Sequence, residues 1–382
     1  MIDLRTNRRG LVLLVGVALL AGCKVIPKGP GQTPPEPGPT EQLPPDKARH
    51  RIALLVPLTG ANAALGQSIS NATQMAILDT NAQTIRVTTY DTSAGPAAAA
   101  TRAMRDGTDL ILGPLLEDEV APVAAVARAG KVPVITYSSD PGVAARDVFV
   151  MGTTLDNSVQ RVVEYARSRG VSRFAVLAPK GDYGSRAASV YGAAVRASGG
   201  TLVASDSYDR GNNSITSAAS RLKAKGGFQA VLIADSPRYA ALAAPRLKAA
   251  GAASPRILGT DLWSGDPLAS STPTLRGAWF AAVSDSRFRQ FAGSYKARFG
   301  SLPYRQATMG YDSVLLTVRI ARDWRGNMPF PVARMLDTGG FLGLDGPFRF
   351  LATGQDERAL EVRETRSGGV TVVSPAPAKF AD

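Results

Sequence analysis

The residues best suited to chemistry gather where apolar stretches stop. Residues 134–141 read VITYSSDP, an apolar run that ends in Tyr137, Ser138, Ser139 and Asp140. Glu117 follows LILGPLL, Tyr183 follows VLAPKGD, Asp235 follows VLIA, and Asp261 with Trp263 follows RILGT. Asn62 lies just beyond RIALLVPLTG. Hydroxyls, carboxylates and aromatic rings at such points can rim a pocket and hydrogen-bond a polar ligand. The same residue types also cap helices and turn chains, because their side chains satisfy nearby backbone amides. Trp263 fits a stacking surface for a sugar or a partner side chain as well as it fits a wall. Both readings stay open at this stage.

Catalytic readings find little support. The single histidine, His50, has no neighbouring group that would make it a base or a ligand, and there is one cysteine. No Gly-x-Ser-x-Gly elbow, phosphate-binding glycine loop or Cys/His cluster occurs. The one pair of acids that could act together on a glycoside is Glu117 with Asp140. No cofactor and no metal site is expected.

The elements that would position these residues alternate. The pattern predicts strands at 51–57, 85–90, 109–113, 132–137, 174–178, 201–205, 230–234 and 256–259. It predicts helices at 67–80, 96–105, 118–129, 157–169, 183–198, 214–225 and 237–250. Short apolar strands alternating with helices imply an α/β protein of parallel sheets with helices on both faces. Later come a strand at 277–283 and helices at 287–299 and 311–324. The tail, from GPFRF to GVTVV, reads as antiparallel strands joined by turns. More than 300 residues exceed one hydrophobic core, so two lobes are expected. In open α/β sheets ligands bind beyond the carboxyl ends of the strands, which is where all ten candidates fall.

The amino-terminal residues point to the compartment. Arg5, Arg8 and Arg9 precede the apolar run Leu11 to Leu20, which is too short to span a bilayer and ends in Leu20-Ala21-Gly22-Cys23. That ending resembles a bacterial lipobox, implying cleavage after residue 22 and acylation of Cys23. Residues 24–49 hold eight prolines and three glycines in 26 positions, a composition that cannot fold alone. As polyproline II it could reach ~80 Å. Lys24 after the cysteine favours the outer membrane by the sorting rule of such proteins. The net charge of +13 in this compartment suits anionic lipid, acidic wall polymer or an acidic protein patch rather than nucleic acid.

Several ordered stretches carry a resemblance. RIALLVPLTGANAALGQSISNATQMAI, LILGPLLEDEVAPVAAVARAGKVPVITYSSD, VLAPKGDYGSRAA, MGYDSV and GPFRFLATGQDERAL are similar to type I periplasmic binding proteins, as in branched-chain amino-acid receptors, over about residues 50–365. The nearer likeness is to penicillin-binding-protein activator lipoproteins, which join this fold to a lipobox and carry a Phe-Ser-Asn-Asp type stretch where this chain has Tyr137 to Asp140. The resemblance implies two lobes joined by three crossing strands with a cleft between them. The expected division is signal 1–22, lipidated cysteine and tether 23–49, first lobe 50–155 with 280–328, second lobe 156–279 with 329–375, and tail 376–382.

In the amino-acid receptors, serine and threonine in the loops after the third and fourth strands hold the ligand carboxylate. The matching positions here are Glu117 and Asp140, which would repel a carboxylate by ~1 kcal/mol per pair at 4 Å even in water. Asp261 matches the acid that pairs with the ligand ammonium. This cleft therefore fits an α-amino acid poorly. The expected function is a non-catalytic outer-membrane lipoprotein that regulates peptidoglycan synthesis by binding a synthase, a penicillin-binding protein. A periplasmic receptor for an amino acid or another small molecule is the alternative.

Overall fold

The computed structural model describes residues 49–248, 254–325 and 328–380. The lipobox with Cys23 and the proline-rich tether lie outside the described residues. Among those described, no helix is long and apolar enough to cross a membrane.

The first strand, β1 (His50–Val56), is buried along nearly its whole length. It is followed by α1 (Ala63–Asp79), β2 (Ile85–Asp91), α2 (Pro96–Arg105), β3 (Leu110–Leu112), α3 (Glu117–Ala129), β4 (Val134–Thr136) and β5 (Val148–Val150). These five strands form one parallel sheet in the order β2-β1-β3-β4-β5. Its two faces carry separate clusters, one under α1 and one under α2 and α3. That is why strands such as ALLV are apolar without alternation. His50 stacks on Trp324 at 3.5 Å and bonds its carbonyl through Nε2 at 3.0 Å, so the sole histidine is structural.

The second lobe repeats the design. It runs α4 (Leu155–Ser168), β6 (Arg173–Pro179), α5 (Asp182–Ala197), β7 (Thr201–Tyr208), α6 (Ser214–Lys225), β8 (Ala230–Ile233), α7 (Pro237–Leu247), β9 (Arg256–Gly259), α8 (Leu268–Ser271) and β10 (Trp279–Ala282). Strand order β7-β6-β8-β9-β10 repeats that of the first sheet. β14 (Glu361–Arg366) and β15 (Gly369–Ser374) then extend it as an antiparallel edge. Between the lobes' strands come α9 (Ser286–Phe299) and α10 (Ala307–Ala321), which pack on α1 in the first lobe. A small antiparallel sheet, β11 (Phe341–Gly343), β12 (Gly346–Phe350) and β13 (Asp356–Arg358), precedes β14 in the chain.

The alternation, the two lobes and the antiparallel tail match expectation, and three differences stand out. β5 is three residues long, VFV, too short for a periodic signal. β10 pairs with β9 and β14, so a lobe boundary at 280 would cut a strand that belongs wholly to the second sheet. Phe341, Phe348 and Phe350, in a stretch expected in the second lobe, join the first lobe's core, where Phe350 meets Phe149 edge-on at 5.4 Å.

The chain passes between lobes three times, at 151–154, 283–285 and 359–360. Charged groups fasten these passages. Arg358, with its side chain 3% exposed, pairs with the fully buried Asp356 at 2.9 Å and donates to the Met151 carbonyl. Asn157 donates to Asp356 at 3.1 Å and to Thr154 Oγ1 at 2.8 Å, and accepts from the Arg358 amide. At the second passage Asp285 receives Arg363 at 2.8 Å and Arg305 at 2.7 Å, and Arg305 reaches Asp345 at 2.7 Å. Burial tends to raise the Asp285 carboxyl, but the two guanidinium groups prevail and hold it below the usual range.

Candidate functional site

A chamber of about 890 Å3 lies between the lobes, beyond the carboxyl ends of β3, β4, β9 and β10. Leu65, Leu115, Leu116, Phe288 and Met309 give it an apolar wall on the first-lobe side. Asp261, Leu262, Ser264 and Gly265 face them from the second lobe, and Asp285, Arg305, Thr308 and Asp345 form a polar end at the second passage. A smaller recess of about 230 Å3 shares Ser139, Thr153, Asp261 and Leu262 with the chamber and adds Glu117, Asp140, Tyr183 and Arg186.

Local structure explains how these groups arrive. Asp140 accepts the Gly142 amide at 3.0 Å, and Ser138 Oγ accepts the Asp140 amide at 3.1 Å, so the loop after β4 is fixed by its own side chains. Ser138 is thereby a structural residue, 3% exposed, whereas Ser139 is exposed to the cleft. Glu117 opens α3, and Tyr183 and Arg186 stand one turn apart on α5. Gly184 sits between them, where a Cβ would come within 1.6 Å of the Pro179 carbonyl oxygen.

The recess holds one ionic constellation. Arg186 of the second lobe forms an ion pair with Asp140 of the first. Glu117 is hydrogen-bonded to Asp140, and that contact, aided by burial, raises its carboxyl. Burial works to raise Asp140, but the Gly142 amide, Glu117 and Arg186 outweigh it and hold it low. Two carboxyls in direct contact leave no room for a sugar between them; a retaining glycosidase needs ~5 Å. Asp156, at the start of α4, is pushed up by burial and feels the same arginine.

Asp261 is the group left over. It makes no ion pair with any described residue. Burial pushes its carboxyl up to about 6 against the help of its own amide and that of Leu262. Tyr183, buried beside it, is raised to about 12, first by burial and then by the Asp261 charge. The Arg210 guanidinium lies 5.1 Å from the Tyr183 ring centre.

Of the ten cleft candidates, Glu117, Tyr137, Ser139, Asp140, Tyr183 and Asp261 line the chamber or the recess. Tyr137 is 2% exposed, and its hydroxyl lies 2.9 Å from Ser313 Oγ, so most of it is wall. Ser138, Asp235, Trp263 and Asn62 are not brought to the cavity. Asp235 receives Tyr208 at 2.6 Å and Arg210 at 2.8 Å, and its carbonyl takes the Trp263 indole N–H at 2.8 Å. These make one buried strut, with Trp263 only 1% exposed, which rules out a stacking surface. Asn62 is exposed at the start of α1 and makes no side-chain cap. Tyr311 faces away from the cleft, bonded to Asp79 at 3.1 Å and packed on Phe291. Sequence reading missed Arg186, although it stands three residues after Tyr183 on the same predicted helix.

The interlobe pair is half open to water, with Arg186 39% and Asp140 13% exposed, so it contributes ~1 kcal/mol after screening. That is small for a fold yet about fivefold in an open-to-closed ratio. Arg186→Ala is therefore expected to raise the open population and enlarge the radius of gyration in solution scattering. Superimposable scattering curves for parent and variant would contradict the latch.

The comparisons agree with this architecture. The description "periplasmic binding protein" belongs to a family profile that matches residues 50–369. Penicillin-binding protein activator LpoA of Glaesserella parasuis is 29% identical over 142 residues, 37% of this chain and 24% of that protein. Full-length LpoA of Haemophilus influenzae superimposes with a TM-score of 0.67 at 19% identity, over 85% of this chain and 59% of that one. A branched-chain amino acid ABC transporter periplasmic ligand-binding protein from Burkholderia xenovorans gives 0.69 at 17% identity, over 86% and 96%. The chain spans between about a quarter and a half of the length of the curated relatives it matches. With two like-wound lobes, three passages and a profile match over most of its length, the chain belongs to the periplasmic binding protein family.

Proposed function

We propose that this chain is a non-catalytic lipoprotein that binds a peptidoglycan synthase of the penicillin-binding class through its surface. It would be anchored by Cys23 at the periplasmic face of the outer membrane. The observation that carries the reading is the Asp140–Arg186 pair. At the positions where an amino-acid receptor offers donors to a ligand carboxylate, this chain supplies a carboxyl pair, and its own arginine bridges the lobes. Closure then needs no solute. The partial likeness to LpoA points to the partner, and the proline-rich tether would raise the effective concentration of the docked lobe at the wall.

The test is direct. The lipidated chain is mixed with a purified penicillin-binding synthase, and binding and the rate of glycan-strand polymerisation or cross-linking are measured. Saturable binding with a raised rate is expected. Absence of binding at micromolar concentrations, with a synthase of the same envelope, overturns the proposal.

A second reading, a solute receptor, is favoured by one feature, the Asp261 carboxyl, which makes no ion pair with any described residue, facing the chamber's apolar wall. Its ligand would carry an amine or several hydroxyls on an apolar body, and no carboxylate.

A further inference from the structure

Parallel strands have two ends, and the cleft uses only the carboxyl one. At the amino ends of β6, β8, β9 and β10, on the far side of the second lobe, lies a groove of about 550 Å3. Arg169, Gln229, Lys248, Arg256, Gly277 and Trp279 are in its lining, which among the described residues contains three cations and no carboxylate.

Each cation is held by neutral groups. Arg256 donates to the Gly277 carbonyl and lies 4.2 Å from the centre of the Trp279 ring. Lys248 donates to the Arg276 carbonyl at 3.0 Å. Arg169 donates to the Tyr165 hydroxyl at 3.1 Å, with its guanidinium 5.1 Å from that ring. Gly277, at φ +79°, leaves Arg256 room; a Cβ there would come within 2.8 Å of Arg256 Nη1. Glu364, which takes the Trp279 indole N–H at 3.0 Å, is already paired with Arg366.

This differs from the arginines that fasten the lobes together. Arg186, Arg305, Arg358 and Arg363, all partly or fully buried, each meet a carboxylate. Arg169, Lys248 and Arg256 make no ion pair with any described residue. Burial and the neighbouring Arg256 charge lower the Lys248 ammonium. Holding like charges together costs free energy that an incoming anion would recover. Donors remain for it, since a guanidinium has five N–H groups and an ammonium three, and few are used here. We infer that this groove is a binding site for an oxyanion, the phosphate or carboxylate group of a ligand, separate from the interlobe cleft.

The test is calorimetric titration of the full chain with pyrophosphate and with citrate at low ionic strength. One saturable site per chain is expected, weakened by added salt. Lys248→Gln and Arg169→Gln should each weaken binding about tenfold, the loss of one charge-assisted hydrogen bond. Arg169 is exposed, so its variant stays folded even if changes nearer Trp279 do not. Binding of pyrophosphate alone assigns a phosphate ligand, and binding of citrate alone a carboxylate one. The inference is overturned if neither anion binds up to about 10 mM, a ceiling well above millimolar dissociation constants. It is equally overturned if both variants keep the parent affinity.

Discussion

Replacing Arg358 by methionine is expected to cost about 3–5 kcal/mol of stability, read as a lower midpoint in urea unfolding, because it leaves Asp356 buried and unpaired. The size follows from the place. Both side chains are almost fully excluded from water, and Arg358 also ties the third passage to the first through the Met151 carbonyl. Asp356 is already raised to about 6 by burial, even with Arg358 opposing. A carboxyl raised in the folded state contributes stability that is whole below its unfolded value near 4. That stability is lost as pH rises through the folded value. Without Arg358 the folded value climbs further, so the variant's deficit should be larger at pH 8 than at pH 5. A deficit under ~1 kcal/mol, or one independent of pH, would show that the passage is not held by this pair.

Gly184→Ala is expected to cost about 2–4 kcal/mol, since no flexible side chain stands in the way of the new methyl, only the Pro179 backbone. A Cβ at Gly184 would lie 1.6 Å from that carbonyl oxygen, and Gly66 makes the same approach to Pro57 in the first lobe, at 1.7 Å. In both lobes the glycine lets the helix that follows the first strand start directly against that strand's end. Displacing α5 also withdraws Arg186 from Asp140, so the variant should scatter as a more open molecule as well as unfold earlier. Gly293→Ala is the control. It lies in α9 with nothing within 4 Å of its Cβ, and should be neutral or gain up to about 1 kcal/mol in helix propensity. Equal midpoints for Gly184→Ala and the parent would contradict the packing described here.

The alternation of strand and helix was legible because each element answers to its own period. The ranges 96–105, 214–225 and 256–259 coincide with the structure at both ends. Contacts between lobes were not legible. Asp140 and Arg186 are 46 positions apart in different lobes, and no local pattern says which segments will meet across a cleft. The strand at 346–350 was readable as a strand, but an apolar alternation suits either lobe's core, so its side of the molecule was not; its partner at 341–343 is only three residues long and gave no periodic signal. Trp263 shows the same limit. An aromatic just past a strand reads alike whether it stacks on a ligand or fills the wall, and the bond to the Asp235 carbonyl decides for the wall.

The central claim is that the cleft is bridged by the chain's own charges and needs no solute. The measurement that tests it most directly is thermal unfolding of the full chain against a panel of amino acids, polyamines, sugars and wall fragments. A ligand at 100 times its Kd would add ~2.7 kcal/mol, a shift of several degrees. No saturable shift that depends on the cleft, and so none that Asp261→Ala abolishes, is expected for any compound. A clear shift that disappears in Asp261→Ala would contradict it and make the chain a solute receptor.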